Sequence, residues 1–147
     1  MLHLLNQTTP KTGASVIPQF RAALLHLGLR PDSDCMAKTM TAISEAVANA
    51  VKHGGGLITA TVSIDHADLI LTVEILDGGR GFDFTVPREM PSWDAESGRG
   101  ILLMQDCVDG VAWEHTDTGF KCILKKQLFR KCANCLERCV FRPLELY

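Results

Sequence analysis

Apolar residues near the start of this chain recur at the spacing of a helix. Val16, Phe20, Leu24 and Leu27 gather on one face, and Gly28 and Pro31 predict where that helix stops. Asp32, Ser33 or Asp34 can cap a second helix. Its stripe of Met36, Met40, Ile43, Val47 and Val51 again keeps helical spacing. His53-Gly54-Gly55-Gly56 closes it, because glycine tolerates the left-handed backbone of a C-cap.

The pattern then changes to period two. Ile58, Ala60, Val62 and Ile64 alternate with Thr59, Thr61 and Ser63, and Leu69, Leu71, Val73 and Ile75 share one face of a second strand. The short turn Asp65-His66-Ala67-Asp68 predicts an antiparallel hairpin. Parity puts Asp77 on the buried side of that second strand, where a carboxylate needs a partner. From Gly78 to Gly98 no periodicity holds, and Pro87 and Pro91 interrupt the run, so a long functional loop is expected. Ile101 to Met104 read as a buried helical turn, and Val111–His115 with Phe120–Lys126 as a second hairpin. A weak strand signal lies at Met1–Asn6. Helices, strands, loop, helix and strands in that order predict a layered α/β sandwich.

Bulk composition narrows the function classes. The 147 residues suit one domain. A formal charge of −2 offers no electrostatic footprint for nucleic acid, and no apolar run reaches the ~20 residues of a membrane span. The N-terminal stretch has no basic lead-in of a signal peptide, so a cytoplasmic location is expected. In that compartment the six cysteines read as thiols rather than a disulfide framework.

Three segments carry candidate chemistry. Glu45 and Asn49 lie one turn apart and share a helix face. Glu45 stands opposite the Met36/Ile43/Val47 stripe, and Asn49 borders a stripe of Ala42, Ala46 and Ala50. The pair reads either as a solvated polar face, or as a base and a Mg²⁺-binding amide oxygen on a helix packed on both sides. Asp77-Gly78-Gly79-Arg80-Gly81 follows a strand. It is either a plain Asp-Gly turn or a carboxylate placed to accept from an exocyclic amine such as adenine's. Gly98-Arg99-Gly100 feeds a helix, whose free N–H groups favour phosphate. It matches neither a Walker A loop nor a dinucleotide fingerprint.

Taken together, Glu45-x-x-x-Asn49, Asp77-x-Gly79-x-Gly81 and Gly98-x-Gly100-Ile-x-Leu-Met resemble the N, G1 and G2 boxes of the GHKL (Bergerat-type) ATP-binding fold. Within that superfamily residues 15–127 look most like the bacterial anti-sigma factor serine/threonine kinases. The resemblance implies helices on one face of a mixed, mostly antiparallel sheet. It implies ATP with Mg²⁺ as ligands, Glu45 as catalytic base, Asn49 as Mg²⁺ ligand and Asp77 as adenine anchor. Gly79, Gly81, Gly98 and Gly100 would shape the rest of the pocket, with residues 82–97 as its lid, and Arg80 or Arg99 reads either as a contact to the phosphates or as an exposed loop arginine. It further implies phosphoryl transfer to a Ser or Thr of a partner with a STAS (anti-sigma antagonist) fold, sequestration of a sigma factor, and a homodimer.

Residues 1–127 are therefore expected to form the ATP-binding domain and 128–147 a helical extension. That extension holds Cys132, Cys135 and Cys139. Their spacing suits a buried or partner-facing helix, a zinc or iron–sulfur site with Cys122, or a redox sensor. Other functions compatible with the three boxes are a non-catalytic ATP-dependent or ATP-independent binding switch, a histidine kinase fragment and a topoisomerase- or MutL-like ATPase.

Overall fold

The computed structural model describes residues 2–8, 16–54, 58–80 and 99–128, the first of these segments by its backbone alone. Strand β1 (Leu2–Thr8) opens the chain, and it is longer than the weak Met1–Asn6 signal. Helix α1 (Ile17–Leu27) ends where Gly28 takes φ 105° and its N–H meets the Leu24 and Leu25 carbonyls. Helix α2 (Asp34–Gly54) follows. Of its three candidate caps, Ser33 serves. Its Oγ accepts the Met36 N–H at 3.0 Å, satisfying a first-turn donor that the helix itself leaves open.

Strands β2 (Ile58–Asp65) and β3 (Ile70–Asp77) form the expected hairpin, in register from Ile58 opposite Asp77 to Asp65 opposite Ile70. The Asp65 carboxylate closes the turn by accepting the Ala67 and Asp68 N–H groups at 2.9 and 3.3 Å. Helix α3 (Arg99–Cys107) then leads into β4 (Gly110–Thr116) and β5 (Gly119–Gln127).

The sheet order is β1-β2-β3-β5-β4, and every described pairing is antiparallel. The sheet expected to be mostly antiparallel is thus antiparallel throughout its described strands. Helix α1 lies over β1 and β2, α2 over β3 and β5, and α3 beside α2 and against β4. This is the two-layer α/β sandwich that the chain's periodicities imply.

Alternation is what assembles the core. Ile58, Ala60 and Val62 of β2 and Leu71, Val73 and Ile75 of β3 face the helices. So do Phe120, Cys122 and Leu124 of β5, against Phe20 and Leu24 of α1 and Met36, Ile43 and Val47 of α2. The small stripe Ala42, Ala46 and Ala50 is also buried, so α2 is packed on more than one side. The outer face of the sheet carries charged residues. There Lys121 reaches Glu74 and Glu114 at 3.9 and 3.5 Å.

The far end of the described chain is anchored: Leu128 is buried and donates its N–H to the Leu69 carbonyl at 2.8 Å. Cysteines 107 and 122 are free thiols, as expected. Cys35 departs from that expectation, being disulfide-bonded. Cys132, Cys135 and Cys139, and every reading of them, also lie outside those residues. Among the described residues no His/Cys/Asp/Glu group is arranged to hold a metal ion. Nor is any helix of the described residues long and apolar enough to cross a membrane.

Candidate functional site

The C-terminal half of α2 and the ends of β3 and β5 enclose a recess. Asn49 lines it together with Ala46 and Ala50 from the helix, and Ile75 and Asp77 from β3. Trp113, Phe120 and Cys122 complete it from β4 and β5. The alanines matter sterically: without larger side chains on that face of α2, the helix leaves space above the sheet instead of filling it.

Asp77 is the last residue of β3 and only 5% exposed, although it is charged in its ordinary state. One carboxylate oxygen accepts the Gly79 N–H at 2.8 Å, a bond across the turn that the glycine's backbone makes available. Burial holds the Asp77 carboxyl above the usual aspartate range, while the Gly79 hydrogen bond and the nearby His53 at the end of α2 pull it back down. A buried acceptor facing a recess in this way is suited to a ligand's N–H donor.

Glu45 lies one helical turn before Asn49 and is half-buried. Its carboxylate sits against the backbone of Gly100, in the first turn of α3: a Cβ built on Gly100 would stand 2.7 Å from Glu45 Oε2. The first turn of a helix carries N–H groups without intrahelical acceptors. Glu45, Asn49 and Asp77 therefore run in order along one side of the structure, from the start of α3 to the recess.

Gly79 and Gly100 take their places beside Asp77 and Glu45 respectively. Gly81 and Gly98 lie outside the described residues, as do residues 82–97 and the side chain of Arg99. Arg80 is exposed.

Sequence reasoning missed the sheet side of the recess. Phe120, Cys122 and Trp113 all fall on the inner face by simple alternation. Only the register, which sets Phe120 opposite Asp77, Cys122 opposite Ile75 and Trp113 opposite Cys122, brings them to the site. A further missed residue is Gly119. A Cβ there would run into the Asp77 carbonyl oxygen, so the start of β5 is pressed directly against the backbone that carries the carboxylate.

Residues 9–126 match the histidine kinase-like ATPase domain family, and the chain belongs to that family. It thus has the ATP-binding GHKL-type domain. Within the family its sequence relatives are anti-sigma F factors. That of Priestia megaterium is 30% identical over 118 residues, covering 73% of this chain and 80% of the relative. That of Clostridium botulinum (strain Alaska E43 / Type E3) is 32% identical over 111 residues, covering 67% and 76%. Among solved structures, the RsbU and RsbW domains of Rv1364c from Mycobacterium tuberculosis superpose with a TM-score of 0.61 at 22% identity. That match covers 86% of this chain and 32% of the other, and it bears on the fold alone. A blue-light activated histidine kinase domain from Erythrobacter litoralis shares the fold at a TM-score of 0.51 and 18% identity, over 84% of this chain and 65% of that one.

Proposed function

We propose that this protein is an anti-sigma-type regulator that uses ATP to phosphorylate a Ser or Thr on a STAS-type antagonist, and that it sequesters a sigma factor or a similar target. The observation that carries this reading is the contact between the Glu45 carboxylate and Gly100 at the start of α3. A carboxylate held beside the helix end that would face the phosphates is placed to act as a base on an incoming hydroxyl. The anti-sigma F factor relatives support the choice of partner.

In this reading Asp77 accepts the amine of adenine inside the recess, where its burial makes the match selective. The triphosphate extends past Asn49 toward the first turn of α3, where the N–H groups of a helix lack intrahelical acceptors and the dipole favours negative charge. Asn49 is half-buried and lines the recess. A single neutral amide oxygen suits Mg²⁺, which takes most of its ligands from phosphates and water. When bound, that ion would neutralise phosphate charge. Glu45 accepts the proton of the incoming hydroxyl as its oxygen bonds the γ-phosphorus and the bond to ADP breaks. Such chemistry depends on positioning and charge more than on covalent help from the protein.

The test is transfer of labelled γ-phosphate from ATP to a Ser-bearing STAS-type antagonist. Wild type is expected to transfer. Glu45→Ala is expected to lose about 100-fold or more in rate while still binding ATP, and Asn49→Ala to lose Mg²⁺-dependent binding. ATP binding with no transfer to any such partner would replace the kinase reading by that of a non-catalytic switch. Sedimentation with and without nucleotide tests the homodimer, and fractionation the cytoplasmic location.

A further inference from the structure

We propose that the Cys122 thiol reads the nucleobase: it donates to the ring nitrogen beside the amine accepted by Asp77, and so selects adenine over guanine and hypoxanthine. The inference rests on the reading of the recess as the adenine site, and it adds a second, independent contact there.

The geometry is that of two inward-facing positions on neighbouring strands. Asp77 pairs with Phe120, and Cys122 pairs with Ile75, one inward step further along the same face. Diagonal positions of this kind are roughly 7 Å apart, a span that one base edge with a hydrogen bond at each side would bridge. Both residues line the recess. Trp113, opposite Cys122 on β4, closes the wall beyond it. Cys122 is 6% exposed and a free thiol.

The chemistry of the pair is complementary to one base edge. An ionised carboxylate only accepts, and a thiol can donate. Adenine offers a donating amine next to an accepting ring nitrogen. Guanine and hypoxanthine reverse both groups, setting an oxygen against the carboxylate and an N–H against the S–H. Burial, helped by the Asp77 charge, pushes the Cys122 thiol up to about 12. The proton therefore stays on sulfur at physiological pH, and the group acts as a donor rather than as a reactive thiolate.

Calorimetric titration of the full chain with ATP, GTP and 1-deaza-ATP, in which the accepting ring nitrogen is a C–H, tests this directly. Wild type is expected to bind ATP about threefold more tightly than 1-deaza-ATP, the scale of one weak hydrogen bond. In Cys122→Ala that ratio should fall to near one and the preference for ATP over GTP should shrink. Cys122→Ser, which restores a donor, should keep both. The ratio compares two ligands on one protein, so a general loosening of the site does not imitate the result. An unchanged ratio in Cys122→Ala overturns the inference. Asp77→Asn separates the two levels. Loss of ATP binding there, with a ratio indifferent to Cys122, removes only the thiol contact. Undiminished ATP binding removes the adenine-site reading and this inference together.

Discussion

The Glu45 carboxylate occupies the space in which a side chain on Gly100 would begin, with Oε2 2.7 Å from the position of a Cβ. This contact ties the middle of α2 to the first turn of α3. Folding does not require glycine at position 100, because the obstructing atom is the end of a flexible side chain.

Gly100→Ala is therefore expected to push the carboxylate aside without unfolding the domain. Alanine is favoured over glycine in a helix by about 1 kcal/mol, so thermal stability should hold or rise slightly. Phosphoryl transfer should fall about tenfold or more, with ATP affinity much less affected. A melting curve and a transfer assay on the same preparation check both halves.

Gly119→Ala should behave in the opposite way. Its Cβ meets the backbone of Asp77 and Gly78, which no rotamer change can relieve. Overpacking of this kind costs about 3 kcal/mol, and the displaced strand end carries Asp77 with it. Urea unfolding should show the loss, and nucleotide binding should weaken although residue 119 belongs to none of the three recognised boxes.

Acid should stabilise the free protein through Asp77. Its folded carboxyl lies above the 3.8 of an unperturbed aspartate, chiefly through burial. The folded state therefore binds the proton more tightly than the unfolded one. Stability contributed by this group rises as pH falls through the raised folded value toward 3.8, and is lost as pH climbs back. Asp77→Asn should flatten that part of the pH–stability curve and stabilise the ligand-free protein at neutral pH. The same substitution should abolish ATP binding, since the amide cannot reproduce the charged acceptor while holding the Gly79 N–H. Urea titrations of both proteins between pH 4 and pH 7, two settings chosen to span roughly the carboxylate range, are the measurement.

Thr39, on α2, is 1% exposed and its Oγ1 has no hydrogen-bond partner. Thr39→Val keeps the shape and removes a buried hydroxyl that makes no bond. It should stabilise the protein by about 1 kcal/mol and leave ATP binding unchanged, as seen by thermal melting and calorimetry.

The elements of this fold were legible because their local signals agreed. Ser33 and Gly28 bracket the helices with a side-chain cap and a left-handed backbone, both local effects of a few neighbouring residues. Alternation in β2, β3 and β5 named the buried faces, including the unusual placement of Asp77 among apolar residues. Strand β1 was faint because it pairs with β2 through two irregularities, and nothing short-range prescribes that partner.

Taken alone, the chain determined the helices, the hairpins, the inward parity of Asp77 and the shared face of Glu45 and Asn49, since each follows from spacing within one element. Only the tertiary structure decided which elements meet. The β3–β5 register brought Phe120, Cys122 and Trp113 to Asp77, and the packing of α3 on α2 set Gly100 against Glu45. The physical reason is range. Periodicity states which way a residue points, but a contact between positions 45 and 100 depends on how two layers close over a common core, and no neighbouring residue records that.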